Sequence, residues 1–312
     1  MFAPSRNLVV QFLAGVPHCA DVAAIELPTE TITHARLGAW VVKCARELEA
    51  QGVGPGACVA VGVRDPALAW TLMLATGLLG ARVVCEGVGA AVTGLTHVAR
   101  DDGDAAGDPP RAIPLCVSRQ WLDALPGIPL DSRPERGVAS GDAPWFVGHG
   151  IDGDDAPGIV TLSHQQLAAR DLLTPFPRRL GTHPVVVSLF PALCLVTVNF
   201  LVATLLRGGT MVASHDPADW QALGVAVVAG TPAQHAVLLL DSTPVRARRL
   251  PVAWVGGAPM PDGLRTALLL HFAAVWHVYV GQDAGPIAGS WLTAPPEWAR
   301  RRVGSIPVSD VA

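Results

Sequence analysis

The residues with the clearest potential for chemistry lie in one glycine- and aspartate-rich stretch, residues 148–157, between two apolar segments. Glycine-rich turns present backbone N–H groups that can surround a phosphate, and carboxylates hold Mg²⁺ readily. Two interpretations stay open: a loop that takes part in ligand binding, and an acidic loop that points into solvent. The glycines and carboxylates of this stretch are Gly148, Gly150, Gly153, Asp152, Asp154 and Asp155.

Familiar catalytic and metal-binding motifs are absent from the sequence. The ten histidines include no H-x-x-x-H pair, and the six cysteines include no C-x-x-C pair. The sequence also has no G-x-S-x-G turn, no G-x-x-x-x-G-K-[ST] loop and no G-x-G-x-x-G after a predicted strand. Only His149 and His164 lie near the glycine-rich stretch, and we expect His164, at the start of a predicted helix, to serve packing or capping. The residues alone therefore assign no nucleophile and no metal site.

The composition excludes nucleic acid as a partner and favours a reduced, cytoplasmic setting. The formal net charge is −4, 15% of the residues are charged and 50% are hydrophobic. Since the longest basic run is only Arg300–Arg302, a polyanion would meet no basic surface. Scattered cysteines in apolar runs behave as small hydrophobes rather than as a disulfide framework. The apolar segment 8–16 is too short and too weakly basic to be a signal peptide.

Residues 180–206 carry no formal charge, so a membrane-spanning helix has to be weighed. Pro184, Pro191 and Asn199 interrupt this segment. Its first part, 185–189, is β-branched and typical of a buried parallel strand, and its second part has the length of a buried helix. A strand, a turn and a helix explain the segment, so we expect no membrane span. An integral membrane protein is the least favoured alternative.

The first part of the chain alternates helices and strands. Thr33 is placed to cap the first helix, and Gly52 is placed to end it. The predicted elements are a helix at 33–51, a strand at 58–63, a helix at 65–80 and a strand at 82–85. The first helix has an apolar face made of Leu37, Trp40, Val41, Cys44, Ala45 and Leu48. This order predicts an α/β fold with a mostly parallel sheet covered by helices.

Two stretches rich in Asp, Gly, Pro and Ser, 100–114 and 126–144, are predicted to be loops, and the alternation resumes after them. We therefore divide the chain into a front α/β subdomain, 1–144, and a back α/β subdomain, 145–312. The back half is predicted to have strands at 145–147, 158–162, 185–189, 210–213, 225–228, 252–255 and 275–279, and helices beginning at 163, 195, 231 and 262.

Several phrases occur in an order that resembles the acyl-adenylate-forming superfamily of acyl- and aryl-CoA synthetases, luciferases and peptide-synthetase adenylation domains. They cover most of residues 30–307. The phrases are ITHARLGAWVVKCARELEAQGVGPGACVAVGV, VSLFPALCLVTVNFLVATLLRGGTMVAS, AVVAGTPAQHAVLL, AWVGGAPMPDGLRTALLLHF, VWHVYVGQDAGPIAG and VGSIPV. The resemblance implies the layered αβαβα N-terminal domain of those enzymes, with two mostly parallel sheets and covering helices.

The resemblance also implies an activity and the positions that would serve it. In that superfamily an acid attacks the α-phosphate of ATP, and the acyl-adenylate formed passes its acyl group to a thiol. The implied nucleotide- or adenylate-binding residues are Gly256, Gly257, Ala258, Tyr279, Gly281 and Gln282. Tyr279, the one tyrosine of the sequence, would stack on adenine, and Asp283 stands where relatives have a Mg²⁺-binding glutamate. The implied substrate pocket contains Cys194, Asn199 and Gly230.

The sequence departs from the superfamily at the phosphate loop. Relatives have a Ser/Thr/Gly-rich run that ends in Pro-Lys-Gly, whereas residues 148–157 have three aspartates and no lysine. Each carboxylate about 6 Å from a phosphate charge costs roughly 3 kcal/mol at an effective dielectric constant near 20. Relatives also take a catalytic lysine from a C-terminal domain, which we expect to be missing. The one lysine of this sequence, Lys43, lies on the first predicted helix.

The sequence therefore favours a degenerate, non-catalytic relative that binds an acyl or aryl small molecule, a partner protein or a second copy of itself. We assign it no cofactor and no confident metal ligand. The alternative is an active acid-adenylating enzyme, with ATP and Mg²⁺ as cofactors, that uses altered chemistry or a C-terminal domain supplied in trans.

Overall fold

The protein is an α/β structure built on two sheets, as the sequence predicts. The structure is a computed structural model that describes residues 6–85, 92, 94–101, 112–132, 134–135, 137–149, 159–176, 180–214, 216–241, 249–281 and 285–293.

The larger sheet has eight strands in the order β14-β13-β12-β11-β9-β10-β1-β2. Its interior pairs are parallel, and only the two edge pairs, β1 with β2 and β13 with β14, are antiparallel. Parallel strands covered on both faces need continuous apolar runs, which explains their many valines. The strands are β1 (Ala23–Glu26), β2 (Thr31–Thr33), β9 (Val185–Ser188), β10 (Thr210–Val212), β11 (Val227–Gly230), β12 (Leu250–Gly256), β13 (Phe272–Gly281) and β14 (Gly285–Thr293).

The smaller sheet has six strands in the order β6-β5-β3-β4-β7-β8. All of its pairs are parallel except β7 with β8 at one edge. The strands are β3 (Cys58–Gly62), β4 (Arg82–Cys85), β5 (His97–Asp101), β6 (Ile113–Val117), β7 (Pro144–His149) and β8 (Ile159–Ser163).

The helices begin largely where the sequence places capping residues. Thr33 accepts a hydrogen bond from the backbone N–H of Arg36 at 3.3 Å, and Asp65 accepts from those of Ala67 and Leu68. The six apolar residues predicted for one face of the second helix are all buried. The helices are α1 (Leu8–Gly15), α2 (His34–Ala50), α3 (Pro66–Leu79), α4 (Arg119–Ala124), α5 (His164–Ala169), α6 (Leu195–Leu205), α7 (Pro217–Ala222), α8 (Pro232–Asp241) and α9 (Asp262–His271).

One main core lies between the two sheets, with α1, α3 and α6 inside it. Strand periodicity separates this core from the outer layers: Val186 and Val227 point into it, whereas Val187 and Val228 pack under α9 on the far side of the larger sheet. Every residue of α6 is buried, which accounts for its apolar sequence. Among the described residues, no helix has the length and apolar character needed to cross a membrane.

The structure corrects two expectations. Strands β5 and β6 reach into the segment 100–114, which was predicted to be a loop. Helix α1 was not predicted because its apolar sequence shows no helical period; its start is fixed by the Asn7 side chain, which accepts hydrogen bonds from the backbone of Val9 and Val10. Each sheet also combines strands from both predicted subdomains. Strands β1 and β2 from the front part join the larger sheet, and β7 and β8 from the back part join the smaller one. The subdomain boundary itself stays a prediction.

Candidate functional site

The candidate site is a cleft at the carboxyl ends of four neighbouring parallel strands, β9, β11, β12 and β13. We define it by the segment 189–194 and by Gly230, Gly256–Ala258 and Tyr279. Register places these ends side by side, because Ala229 pairs with Ser188, Gly230 with Val255 and Gly256 with Val278. Open α/β sheets bind their ligands outside the carboxyl ends of their strands. The cleft is therefore where such a fold positions a ligand.

A glycine shelf, Gly256 and Gly257, forms one wall of the cleft. A Cβ atom added to Gly256 would lie 2.7 Å from the Trp254 ring and 2.9 Å from Val278, so no larger residue fits there without movement. Gly257 has a φ of 87°, a left-handed conformation that favours glycine. Ala258 follows on the exposed side of the turn. Glycine is thus favoured at both positions, at Gly256 because of close packing and at Gly257 because of its backbone conformation.

Tyr279 presents its ring to solvent beside this shelf. Its side chain is 67% exposed, whereas its neighbour Val278 is buried. An exposed aromatic ring at a cleft is available to stack on a planar ligand. Gly281 ends β13, and the predicted α-phosphate and Mg²⁺ positions, Gln282 and Asp283, lie outside the described residues.

The segment 189–194 is held from both sides. Trp70 of α3 donates its indole N–H to the carbonyl of Ala192 at 2.9 Å. The Ser188 and Thr197 hydroxyls lie 2.7 Å apart, and Thr197 also hydrogen-bonds the carbonyl of Phe190 at 3.3 Å. These contacts fix the entrance to α6 against both the larger sheet and the helix layer between the sheets.

Cys194 stands at the N-cap of α6 and makes no side-chain cap hydrogen bond. Burial raises the pKa of its thiol, so the side chain is neutral near pH 7. A neutral thiol is compatible with a nearby ligand carboxylate, because it adds no repulsive charge. It is also a poor nucleophile, because the thiolate is the reactive form.

A capping box at the start of α8 supports the cleft and was missed from the sequence. The Thr231 hydroxyl accepts from the Gln234 backbone N–H at 3.2 Å, and the Gln234 amide oxygen accepts from the Thr231 backbone N–H at 2.8 Å. The Gln234 amide also donates to the carbonyl of Leu189 at 2.8 Å. The spacing Thr-x-x-Gln after a strand is a known helix-start signal that would have identified the box.

Aromatic side chains fill the space beneath the shelf. Trp254 is 1% exposed, and its ring centroid lies 6.2 Å from that of Phe190 and 5.6 Å from that of Phe200, both edge-on. Trp254 also lies two residues before Gly256 on the same strand face, which is why the two come into contact. The floor of the cleft is therefore apolar and tightly packed.

The structure does not bring the three predicted substrate-pocket residues together. Gly230 lies at the cleft with Leu189, and Cys194 lies at the entrance to α6. Asn199 instead borders a separate cavity of about 450 Å³ between α1, α5 and α6, which neither Cys194 nor Gly230 borders. Helix geometry gives the reason, since five residues along α6 turn the side chain to another face and move it about 7.5 Å along the axis.

The glycine-rich stretch lies largely outside the described residues, which include Gly148 but not Gly150, Asp152, Gly153, Asp154 or Asp155. Its flanking strands pair antiparallel, with His149 opposite Ile159. His164 has the packing role expected of it: its ring stacks on Trp145 at 4.3 Å, accepts from the Leu8 backbone N–H at 3.3 Å and donates to the Gly77 carbonyl at 3.2 Å. Burial lowers the pKa of His164 to about 4.

Positive charge is missing from the cleft as far as the structure describes it. Residues 188–199, 229–235, 254–260 and 278–281 contain no lysine or arginine. Lys43 lies on α2 and borders a different cavity with Arg46 and Glu47. No group of three His, Cys, Asp or Glu side chains suited to a metal ion occurs among the described residues.

Comparison with solved structures identifies the fold. The chain is similar to the N-terminal subdomain of NpsA from Klebsiella oxytoca in complex with 3-hydroxybenzoyl-AMSN, with a TM-score of 0.78 and 15% identity over 95% of this chain and 78% of that one. It is also similar to the nonribosomal peptide synthetase FmoA3 in its AMPPNP-bound form, with a TM-score of 0.75 and 17% identity over 96% of this chain and 34% of that one.

A third similar structure is a double mutant of o-succinylbenzoate CoA synthetase (MenE) from Bacillus subtilis, bound to a product analogue. Its TM-score is 0.73, with 16% identity over 94% of this chain and 62% of that one. No protein-family description and no curated protein matches the sequence. At these identities the comparisons establish the fold: the chain has the N-terminal-domain fold of adenylate-forming enzymes, and it spans part of the length of the larger relatives.

Proposed function

We propose that this protein is a degenerate relative of the adenylate-forming enzymes that binds an acyl or aryl acid, or an adenylate of one, without activating the acid with ATP by itself. The observation that carries the proposal is the absence of lysine and arginine from the described cleft, together with the aspartate-rich sequence of residues 148–157. The proposal concerns this chain's own residues.

The adenylate-facing part of the cleft fits such a ligand. Gly256 lets Trp254 and Val278 pack directly against the shelf backbone, and the exposed Tyr279 ring offers a stacking surface. Apolar side chains, Phe190 and Trp254 among them, are buried directly beneath the shelf, and such surroundings suit a hydrocarbon or aromatic acyl group. The related NpsA structure contains a 3-hydroxybenzoyl-AMSN ligand. That ligand class is therefore the first to test.

The triphosphate part does not fit. A bound triphosphate needs nearby cations or a metal ion because its charges are otherwise left unpaired in a low-dielectric cleft. Lys43 lies on α2, outside the cleft, and borders a cavity that Glu135 also borders. The sequence of residues 148–157 adds three carboxylates where relatives have hydroxyls and a lysine. We infer that ATP–Mg²⁺ binds more weakly than AMP, which reverses the order expected of a working synthetase.

Calorimetry with three compounds tests this proposal: 3-hydroxybenzoyl-AMSN, AMP and ATP–Mg²⁺. We expect the analogue to bind, AMP to bind weakly and ATP–Mg²⁺ to bind more weakly than AMP. Tyr279→Ala should weaken binding of the analogue about tenfold, in line with the roughly 1–3 kcal/mol of stacking on one aromatic ring. Leu240→Ala is the matched control, since Leu240 is 58% exposed on α8 and lies outside the cleft.

The competing function is acid adenylation by altered chemistry or with a C-terminal domain supplied in trans. The retained glycine shelf and the carboxylate of Asp283 in the sequence favour it. Pyrophosphate exchange against a panel of acids separates the two functions. Exchange that is lost in Asp283→Ala would establish the enzyme and overturn the binding proposal.

We also propose that the protein binds a partner protein or a second copy of itself. NpsA has been studied as an artificial fusion of adenylation and carrier-protein domains. Light scattering of the purified chain measures its self-association, and a monomer at high concentration would rule out a homodimer.

A further inference from the structure

The 450 Å³ cavity bordered by Asn199 is separate from the cleft and independent of the function proposed for the cleft. Its walls come from α1, α5 and α6, and from the turn that follows α6. Its volume falls in the ordinary range of small-molecule sites. The cavity therefore needs its own explanation.

Asn199 is the first sign that the cavity holds a ligand. It is 4% exposed, in the middle of a helix whose other buried residues are mainly apolar, and its side chain forms no hydrogen bond with any described residue. Because Asn199 borders the cavity, its amide is placed to hydrogen-bond to a molecule bound there. Asparagine is also a weak helix former, so its place in the middle of α6 is not explained by helix propensity.

A second buried amide, that of Gln165, borders the same cavity. Its side-chain nitrogen is buried and has no hydrogen-bond partner among the described residues, although its backbone N–H is bound to Gly141. Two carboxamides from different helices, α5 and α6, thus border one space with unused hydrogen-bonding capacity. Together they offer both donors and acceptors.

The charges around the cavity favour an anion. Arg207 is neutralised by an ion pair with Asp171, whereas Arg6 forms no ion pair with any described side chain. Apart from Gln11, the remaining surface is apolar and includes Leu8, Ala203 and Leu206. A guanidinium binds a carboxylate with two parallel hydrogen bonds, and the apolar surface suits a hydrocarbon body.

We propose that this cavity is a binding site for a small amphipathic carboxylate. The carboxylate of this ligand contacts Arg6 and hydrogen-bonds to the side-chain amides of Asn199 and Gln165. Its hydrocarbon body packs on Leu8, Ala203 and Leu206. Sodium hexanoate is a suitable probe, and 1-hexanol is its uncharged counterpart of similar length.

Titration calorimetry of the full chain tests the site. We expect hexanoate to bind at least tenfold more tightly than hexanol, and Arg6→Gln to abolish that preference. Asn199→Leu should weaken hexanoate binding at least tenfold without lowering the unfolding temperature, because leucine is apolar and a better helix former. Ala203→Phe fills the cavity and should abolish binding, whereas the cleft variant Tyr279→Ala should leave it unchanged.

Three results would overturn the proposal. The first is no hexanoate binding to the intact chain at millimolar concentration. The second is equal binding by the wild type and by Asn199→Leu, a variant expected to fold normally. The third is binding that appears only after residues 1–5 are removed, because the cavity of the intact chain would then be closed to small molecules.

Discussion

Trp254 decides how much space lies beneath the glycine shelf. Its ring is buried between Phe190 and Phe200 and touches the position where a Gly256 side chain would start. The size of this one residue therefore limits how deeply an acyl group can enter the cleft. Sequence alone gave no sign of this role, because it depends on three aromatic residues from separate elements.

Trp254→Ala should lower the free energy of unfolding by about 3–5 kcal/mol, because it leaves a cavity in a packed core. Urea denaturation measures this loss. The new space should also let acids with larger acyl groups bind, as measured by calorimetry. Trp254→Phe should lose less stability and admit fewer ligands. Unchanged ligand preference in Trp254→Ala would show that the acyl group lies elsewhere.

At the scale of elements, the capping box of α8 connects helix stability to the shape of the cleft. Gln234 both caps its own helix and holds the carbonyl of Leu189. A second capping box, formed by Ser163 and Gln166 at α5, has the same chemistry but borders no part of the cleft. The capping box of α5 is therefore a matched control for the capping box of α8.

Gln234→Ala and Gln166→Ala should each cost about 1 kcal/mol of unfolding free energy, since each removes cap hydrogen bonds. Only Gln234→Ala should also weaken binding of 3-hydroxybenzoyl-AMSN, because it frees the segment 189–194. Chemical denaturation and calorimetry on the two variants measure both effects. Equal effects of both variants on binding would contradict this account.

The sequence predicted the long, well-capped helices and most buried strands, and it missed several short or exposed elements. Helix α2 was identified because Thr33 caps it and six apolar residues repeat at helical spacing. Strand β6 was missed because Pro114 precedes its central residue, Leu115, and because most of its side chains are exposed. The glycine shelf came from family resemblance, whereas the Gln234–Leu189 bond could not be predicted, since it depends on how β9 and β11 pair in three dimensions.

At the scale of the whole molecule, histidines desolvated by burial make stability depend on pH: burial lowers the pKa of His34, His164, His235 and His271. His164 joins α1, α3 and β7, and His235 donates from Nε2 to the Trp254 carbonyl at 3.1 Å within the larger-sheet layer. Burial lowers the pKa of each to about 4. Because an unfolded histidine has a pKa of about 6.5, the unfolded chain binds more protons between these values.

Stability should therefore be full above pH 6.5 and fall as the pH is lowered toward 4. At pH 5 His164 and His235 should each cost about 2 kcal/mol relative to pH 7. Urea denaturation at both pH values measures the difference. His164→Gln should remove about 2 kcal/mol of this difference, whereas His34, His235 and His271, whose pKa values burial also lowers, keep the rest. A pH-independent midpoint in the wild type would refute the assignment.

The pairing of an early strand with a late strand in the larger sheet has a consequence for synthesis. Ile25 of β1 pairs with Met211 of β10, so the first strand is made long before its parallel neighbour exists. Translation at about 5–20 residues per second leaves this apolar edge waiting for on the order of ten seconds or more. We therefore expect the yield of the full chain to rise when holdase chaperones are co-expressed, because this side of β1 stays unpaired during synthesis.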